Sequence, residues 1–468
     1  MRQRSSRFSG RSWLLPIVLL LFGIVGGCVP TPTPTLTPTP VPGPAPAATS
    51  APAVAWSSFF GTPGWDRANG VAVDTEGNII VAGALQGALP GQTRGGIWDA
   101  YMRKLSPAGV ELWTRQFTNT VSVGVLAVAV DGTGNVIAAG HVQGALPGQT
   151  HAGVDDAYVR KFSPAGVELW THQFGTPAAE QAFGVAADAS GNIIVVGSTE
   201  GALPGQTRIG VDKEDAFVRK YSPAGVELWT RQFGTTAVDR ANGVVADMEG
   251  NIIVAGRTEG DLPGQTNAGS WDVFVRKYSP AGVELWTRQF GSSGPDEAFA
   301  VVVDRTGNII AAGHAMGTLP GQTHVGFDDA FVQKLSPAGT ELWTRQFGSP
   351  RSTQVFGAAV DGAGDIFVAG ATSDALPGQK QVGAYDGFVR GYSPAGVELW
   401  TCQFSSSSPS VLQPGANAST TILPSVKPSG VGVDGRGQVV VVGDANGDMF
   451  GQTIAGNWDA FIIAWAPS

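Results

Sequence analysis

A single unit repeats along this chain, and the repeat constrains the fold more than any other feature. Its clearest copy, Tyr-Ser-Pro-Ala-Gly-Val-Glu-Leu-Trp-Thr-Arg-Gln-Phe-Gly, spans 221–234, and near-copies occur at 105–117, 162–175, 278–291, 335–348 and 392–404. The tryptophan of this stretch marks seven units at nearly constant spacing: Trp56, Trp113, Trp170, Trp229, Trp286, Trp343 and Trp400. Because repeat units pack on their neighbours, such a chain can exceed the roughly 250–300 residues at which a single core stops growing.

Each unit contains four segments with the character of β-strands. In the fourth unit, strand a (243–247) is short and rich in small residues, and strand b (251–256) is apolar on both faces. Strand c spans 272–278, and strand d (283–290) is the longest and carries charge. The turns Asp-x-x-Gly-Asn between a and b and Ser-Pro-Ala-Gly between c and d supply glycine where positive φ is favoured. The pattern therefore predicts antiparallel four-stranded units.

These units predict an all-β fold, a seven-bladed β-propeller of four-stranded antiparallel blades over residues 54–468. The small residues of strand a suit the crowded axis, and the charges of strand d suit an outer edge. The last unit ends after strand c, whereas 54–60 matches a strand d with no unit before it. We therefore expect the N-terminal strand to join the last blade and close the ring. A β-solenoid or an open array would leave these two ends unmatched.

The repeat resembles the bacterial seven-bladed β-propeller repeat family, SBBP, over about residues 54–468. Its Gly-Val-Ala-Val-Asp-x-x-Gly-Asn run is also similar to that of NHL-type propellers. The resemblance implies the propeller fold and, since such repeats are known mainly from exported or surface proteins, an extracytoplasmic location. It implies little about activity, because propellers host many unrelated functions.

The N-terminus predicts export and a lipid anchor. Residues 1–27 combine a basic start with an apolar run, and Gly26 and Gly27 precede Cys28. This layout resembles a bacterial lipoprotein signal peptide, in which Cys28 becomes the lipidated first residue of the mature chain. An ordinary export signal or an uncleaved anchor helix are the alternatives. We expect the mature protein to be held to a membrane by acyl chains, at the cell surface or elsewhere outside the cytoplasm.

Residues 28–53 combine the lipidated cysteine with a stalk rich in Pro and Thr, which cannot build a core. We expect an extended polyproline-like spacer about 75 Å long. The formal charge of the whole chain is −9, and loss of the arginines of the signal peptide would make it about −13. An acidic surface disfavours nucleic acid as a partner. We expect a monomeric head without a cofactor.

Any binding surface is expected on the face that carries the longer d–a and b–c connections, because function collects on loops held by a rigid frame. Leu-Pro-Gly-Gln-Thr recurs in these loops, at 89–93 in the first unit, and such repetition indicates loop packing rather than a site. Residues that differ between the units are more informative about a binding site. Trp65, Trp98 and Trp458 lie outside the strand d series near the expected seam, and an insertion lies within 405–429. Exposed tryptophans there could stack on sugar rings or hold a partner peptide.

Tryptophan at a strand start can also be ordinary packing, since Trp271 occupies the same place in the fourth unit. His141 and His151 recur as His314 and His324 beside paired aspartates, which invites a metal interpretation. Duplication of a segment explains the match better, so no metal site is predicted.

No catalytic residue is predicted, because no nucleophile elbow, phosphate loop or His-Glu-x-x-His motif is present. The sequence favours a lipid-anchored, surface-displayed propeller that acts as a non-enzymatic binding or scaffold module on its loop-rich face. Its ligand, a protein or a glycan, is not identified by the sequence. The alternative is an exported hydrolase or lyase whose site lies in the axial cleft. Converging titratable groups at the axis would favour the enzyme, and a cleft of small residues and backbone would favour binding.

Overall fold

The computed structural model describes residues 51–119, 121–210, 213–406 and 423–467. The predicted signal peptide, Cys28, nearly all of the stalk and residues 407–422 of the insertion lie outside this range. The described residues form twenty-eight strands in seven four-stranded sheets. Within them, no helix has the length and hydropathy needed to cross a bilayer.

The four strand positions are the same in every blade. The innermost strands, position a, are Asp66–Val73 (β2), Ser122–Val130 (β6), Glu180–Ala187 (β10), Asp239–Ala246 (β14), Asp296–Val303 (β18), Thr353–Val360 (β22) and Val426–Val433 (β26). Position b holds Ile79–Leu85 (β3), Val136–Gln143 (β7), Ile193–Thr199 (β11), Ile252–Thr258 (β15), Ile309–Ala315 (β19), Ile366–Thr372 (β23) and Val439–Ala445 (β27). Position c holds Asp99–Leu105 (β4), Asp156–Phe162 (β8), Asp215–Tyr221 (β12), Asp272–Tyr278 (β16), Asp329–Leu335 (β20), Asp386–Tyr392 (β24) and Asp459–Trp465 (β28). The outermost strands, position d, are Val54–Phe60 (β1), Glu111–Phe117 (β5), Glu168–Phe174 (β9), Glu227–Phe233 (β13), Glu284–Phe290 (β17), Glu341–Phe347 (β21) and Glu398–Phe404 (β25).

The predicted seven-bladed propeller is confirmed. Six sheets have the sequential order a-b-c-d, as in β2-β3-β4-β5, and every strand pair is antiparallel. The innermost strands of all seven blades line one central channel. Blades are numbered here in the order in which their innermost strands occur along the chain.

The predicted ring closure is also confirmed. The seventh sheet has the order β1-β28-β27-β26, so the N-terminal strand is the outermost strand of the last blade. Its register pairs Phe60 with Ala460 and Phe59 with Phe461. Phe60 also packs edge-on against Tyr101 of blade one, with ring centroids 5.5 Å apart. The first strand therefore joins the last blade to the first.

The expected strand lengths are wrong. Most innermost strands have eight residues and β6 has nine, whereas every outermost strand has seven. Strand β14 begins at Asp239, four residues before the start expected from the sequence. A β-bulge between Ala241 and Gly243 breaks the side-chain alternation there, and the polar half before the bulge has no strand-like pattern.

The core lies between neighbouring blades. One of its clusters joins Ile137 and Val159 of blade two to Val185, Val195 and Phe217 of blade three. Strands b and c are buried on both faces, as β11 and β12 show along their whole lengths. Apolar burial of this kind is the main favourable term in folding, and here it also fixes each blade against the next.

The repeated tryptophan stretch links each blade to the one that follows. The indole Nε1 of Trp229 donates to the carbonyl oxygen of Pro280, 3.1 Å away in the next c–d turn. The guanidinium Nε of Arg231 donates to Gly282 O in the same turn, at 2.9 Å. The indole bond recurs in six successive pairs from Trp56 to Trp343. The most repeated stretch of the sequence is thus a joint between blades.

Candidate functional site at the axial mouth

A cavity of about 610 Å³ opens at the loop-rich end of the channel. Its floor is a ring of the seven bulge residues, which we call the bulge ring: Asn69, Leu126, Phe183, Asn242, Phe299, Phe356 and Ser429. Two residues earlier on each innermost strand lies a second ring, which we call the mouth ring: Arg67, Gly124, Gln181, Arg240, Glu297, Gln354 and Lys427. The volume lies within the range of roughly 300–1,000 Å³ that is usual for ligand pockets.

A third set of side chains surrounds the mouth. We call the residue before each strand c the slot residue. Its carbonyl oxygen accepts a backbone hydrogen bond from the first residue of the next innermost strand, or from the second residue in β6. Asp239 N donates in this way to Glu214 O at 2.8 Å, and Asp66 N donates to Trp458 O at 2.9 Å. Each slot side chain therefore stands beside the next blade's mouth residue. The slot residues are Trp98, Asp155, Glu214, Trp271, Asp328, Tyr385 and Trp458.

From blade three to blade six, several charged and polar groups of the mouth pair with one another. Arg240 forms a bidentate pair with the slot residue Glu214, with N–O distances of 2.8 and 2.9 Å. The amide of Asn242 donates to Glu297 Oε1 at 2.9 Å, and Arg257 lies 3.5 Å from the same carboxylate. Arg257 also stacks on Trp271, 3.8 Å from the ring centroid. This half of the mouth is electrostatically paired within the protein.

Blades six, seven and one differ, because aromatic rings replace carboxylates around the cations. Trp65 and Trp458 stack with centroids 5.9 Å apart, and Trp65 keeps 38% of its surface exposed. The Lys427 ammonium lies 5.2 Å from the ring centroid of Trp458 and 5.4 Å from that of Tyr385. On the other side, the Arg67 guanidinium lies 5.4 Å over Trp98. We call these six residues, Tyr385, Lys427, Trp458, Trp65, Arg67 and Trp98, the seam cluster.

Two of the three tryptophans singled out in the sequence lie at the seam between blades seven and one, where Trp65 and Trp458 stack on each other. Trp98 lies instead at the boundary of blades one and two, beside Ser122, and Arg67 covers its ring. Ordinary packing explains Trp271 in blade four, where Arg257 covers its ring.

Asp444 is an acidic group that interacts electrostatically with both cations of the seam cluster. It pairs with Lys427 in the strand register and lines the axial cavity. Burial raises the pKa of Asp444 to about 6, although the charges of Arg67 and Lys427 favour its ionised form. One carboxyl group thus faces two cations, and this sector retains a positive excess.

A smaller notch of about 230 Å³ opens between blades one and two. It exists because the mouth ring has Gly124 here instead of a side chain. Trp98, Arg67 and His141 line the notch. Burial lowers the pKa of His141, so its imidazole is neutral near pH 7. At the matched position in blade five, His314 stacks instead on Phe299 at 5.5 Å.

The repeated histidines do not form a metal centre in the described residues. His151 and His324, in the b–c loops, contact Asp156 and Asp329 at 3.3 and 3.2 Å. His141 and His314 lie instead on strand b at the mouth. Across the described ranges, no group of three or more His, Cys, Asp or Glu side chains could hold a metal ion.

The repeated loop residues have structural roles, as the sequence indicated. Leu89 is buried, and its N–H donates to Oε1 of Gln116 on strand d at 3.0 Å. The Gln116 amide donates in turn to Gly87 O and to Asp99, and Asp99 accepts the N–H groups of the loop glycines. In blade seven, Gln452 fastens the loop to strand d. Its side-chain oxygen accepts from Phe59 N, and its amide donates to Ser57 O.

Sequence reasoning missed the mouth ring, the bulge ring and Asp444. The two rings belong to the first half of strand a, before the strand start that the sequence predicts, and Asp444 lies near the end of strand b. The sequence does contain a signal that distinguishes the mouth ring. When the seven copies are aligned, the residue after the mouth position is always Ala, Val or Pro, whereas the mouth position changes from Arg to Gly, Gln, Glu or Lys.

Comparison with known proteins agrees with this architecture. The SBBP β-propeller-repeat family matches residues 228–263 and 342–376. "Regulatory protein FlaEY" of Caulobacter vibrioides is 25% identical over 381 residues, which cover 73% of this chain and 39% of that protein. An uncharacterised WD repeat-containing protein, L264, of Acanthamoeba polyphaga mimivirus is 22% identical over 437 residues, covering 69% of this chain and 31% of its own length. The chain thus spans well under half the length of these two relatives.

Among solved structures, the WD40 β-propeller domain of Doa1 is 12% identical, with a TM-score of 0.47, covering 87% of this chain and 96% of that domain. A gluconolactonase from Xanthomonas campestris, XC5397, is 14% identical, with a TM-score of 0.36, covering 70% of this chain and 95% of that protein. The two SBBP matches and the seven four-stranded blades together make this chain a seven-bladed β-propeller that carries SBBP repeats.

Proposed function

We propose that this protein is an exported, lipid-anchored binding module whose propeller holds a protein or glycan ligand at the axial mouth. In this proposal Cys28 carries the acyl chains, residues 29–53 form the spacer, and the propeller faces outward as a monomeric head. The acidic overall charge supports a ligand other than nucleic acid.

One observation carries the binding role. Residues that build the frame repeat from blade to blade, whereas the mouth ring, the bulge ring and the slot residues differ between blades. A purely structural ring would accept the same residues in all seven positions. Differences confined to a cavity at the end of a rigid frame are typical of a recognition surface.

The binding proposal is tested by screening the purified full chain against a glycan array and against extracts of surface proteins. We expect a ligand whose capture falls at least tenfold in the variant Trp65→Ala/Trp458→Ala. The control Trp229→Phe removes one indole bond between blades, far from the mouth, and leaves capture unchanged. Equal capture by the Trp65→Ala/Trp458→Ala variant would exclude the seam tryptophans from the site.

The anchor is tested separately by growing cells with a labelled fatty acid. We expect label on the wild-type protein and none on Cys28→Ser, which would also be released from membranes. Label retained by Cys28→Ser, or a mature N-terminus elsewhere than Cys28, would contradict the lipoprotein assignment.

A hydrolase or lyase with its site in the axial cleft is the second candidate, because titratable groups do converge there. Asp444, with its pKa raised to about 6, is suited to exchange a proton near neutral pH. If this candidate is correct, the wild-type chain turns over a glycan that it binds, and Asp444→Asn binds the same glycan without turnover. Binding without turnover by the wild type supports the non-enzymatic role.

A further inference from the structure

Arg240 shows how a cation of the mouth ring is paired within the protein. Its guanidinium stacks on Phe183, 5.0 Å from the ring centroid, and grips the Glu214 carboxylate through two donors. Gln354 of blade six likewise donates to its slot residue, Asp328. In two of the three slots that hold a carboxylate, the carboxylate is therefore the internal partner of a donor in the mouth ring.

The cations of blades seven and one lack that partner. Their slots hold Tyr385 and Trp458, and neither Arg67 nor Lys427 makes a side-chain hydrogen bond or direct ion pair within the described residues. Both side chains are exposed. Arg67 is nonetheless oriented by stacking on Trp98, which leaves the edge of its planar fork open. Such a fork matches the geometry of a carboxylate.

We propose that the seam cluster binds a carboxylate carried by the ligand, which takes the place that Glu214 occupies beside Arg240. Arg67 and Lys427 hold this carboxylate, and the one internal acid that they face, Asp444, leaves a positive excess for it. The exposed rings of Trp65 and Tyr385 supply flat apolar faces of the kind that stack on sugar rings. A carboxylate beside such faces identifies the ligand as an acidic glycan built from uronate residues.

The inference rests on the proposed binding function and narrows its ligand class. The alternative anionic partner is an acidic peptide, in which the Asp and Glu residues that carry the carboxylates have no ring to stack on the indoles. The test therefore uses the full chain with oligomers of galacturonate, glucuronate and mannuronate, the carboxyl-reduced form of each, and poly-glutamate. Binding is measured by titration calorimetry at low and at physiological salt.

We expect at least one uronate oligomer to bind, with affinity at least tenfold above that of its carboxyl-reduced form and above that of poly-glutamate. The variant Arg67→Gln/Lys427→Gln loses about tenfold or more, as expected when charge-assisted hydrogen bonds are removed. The matched control is Arg305→Gln/Arg436→Gln, which removes two exposed charges from a–b turns on the opposite face. This control keeps full affinity, and melting curves show that both variants are folded.

Two outcomes would overturn the inference. In the first outcome, the carboxyl-reduced oligomers bind as tightly as the acids, and Trp65→Ala lowers the affinity for them. The mouth would then be a binding site for neutral glycans. Binding of poly-glutamate alone, dependent on Arg67 and Lys427, would replace the glycan by an acidic protein segment. In both cases the proposed binding function survives. Glycan binding that none of the seam variants changes would instead overturn the axial site itself.

Discussion

Buried ion pairs show how single residues support the blades. In five blades a lysine of strand c contacts the aspartate of the a–b turn, as Lys277 contacts Asp247 at 2.9 Å with only 7% of each side chain exposed. The same aspartate accepts the N–H groups of its turn, so it fixes both the turn and the strand. In blade seven the partner of Asp434 is the exposed Arg436.

This contrast gives the first prediction. Lys277→Met leaves Asp247 buried without its cation, and we expect it to lower the free energy of unfolding by about 3 kcal/mol. The change Arg436→Gln also removes the cation of a buried aspartate, but this cation is 63% exposed and its loss opens the Asp434 carboxylate to water, so the cost should be less than about 1 kcal/mol. Chemical denaturation of the full chain measures both. Similar losses from the two variants would show that burial of the pair is unimportant.

The second prediction concerns pH. Burial raises the pKa of Asp66 to about 7 and that of Asp239 and Asp296 to about 6, from 3.8. The folded state therefore holds these protons more tightly than the unfolded chain does. Their contribution to stability is complete below about pH 4 and is lost as the pH rises through 6 to 7.

Two other aspartates have a lowered pKa and therefore stabilise the fold at higher pH. Burial would raise the pKa of Asp131 and Asp304, but hydrogen bonds from lysine, asparagine and threonine hold each near 2. Their contribution is lost only as the pH falls towards 2. We therefore expect a higher Tm at pH 5 than at pH 8. The difference should shrink in Asp66→Asn, and a Tm that rises from pH 5 to pH 8 would contradict the assignment.

At the scale of the strand, the sequence predicted most of the frame and little of the site. Strands b, c and d were recognisable because apolar runs and tight turns bound them, and Val54–Phe60 was recognisable as a spare copy. The first half of strand a was not, because the bulge at Asn242 shifts the alternation and residues such as Asp239 and Arg240 have low strand propensity. The mouth ring lies in that half, so the alternation of apolar and polar residues did not reveal its side chains.

The third prediction tests the closing strand. Phe60→Ala removes a side chain that packs on Tyr101, is flanked by Arg103, and joins blades seven and one. We expect a loss of about 3 kcal/mol in unfolding free energy. Val54→Ala, at an exposed position of the same strand, serves as control and should cost about 0.5 kcal/mol or less.

Deletion of 54–60 removes the whole strand and leaves the edge of β28 unpaired. We expect Tm to fall by more than about 10 °C, since several kcal/mol are lost at once. A deletion variant that melts together with the full chain would show that the ring does not need its N-terminal closure.

On the scale of the whole molecule, a repeating frame holds a mouth that does not repeat. The tryptophan–proline joints link successive blades, and the strand d glutamines fasten each b–c loop to its own blade. Against this regular frame, the paired charges of blades three to six and the cation–aromatic seam cluster give the mouth two unlike halves. We infer that the ligand binds at this mouth, on the side of blades seven and one.

Hydroxyl-radical footprinting of the full chain with and without a captured ligand locates the binding site. We predict that the ligand protects Trp65, Trp458 and Tyr385, while Leu228 and Leu285, half-exposed on the outermost strands, keep their reactivity. Protection of Leu228 and Leu285, with unchanged labelling of the seam aromatics, would place the ligand on the outer edge of the blades and contradict the account.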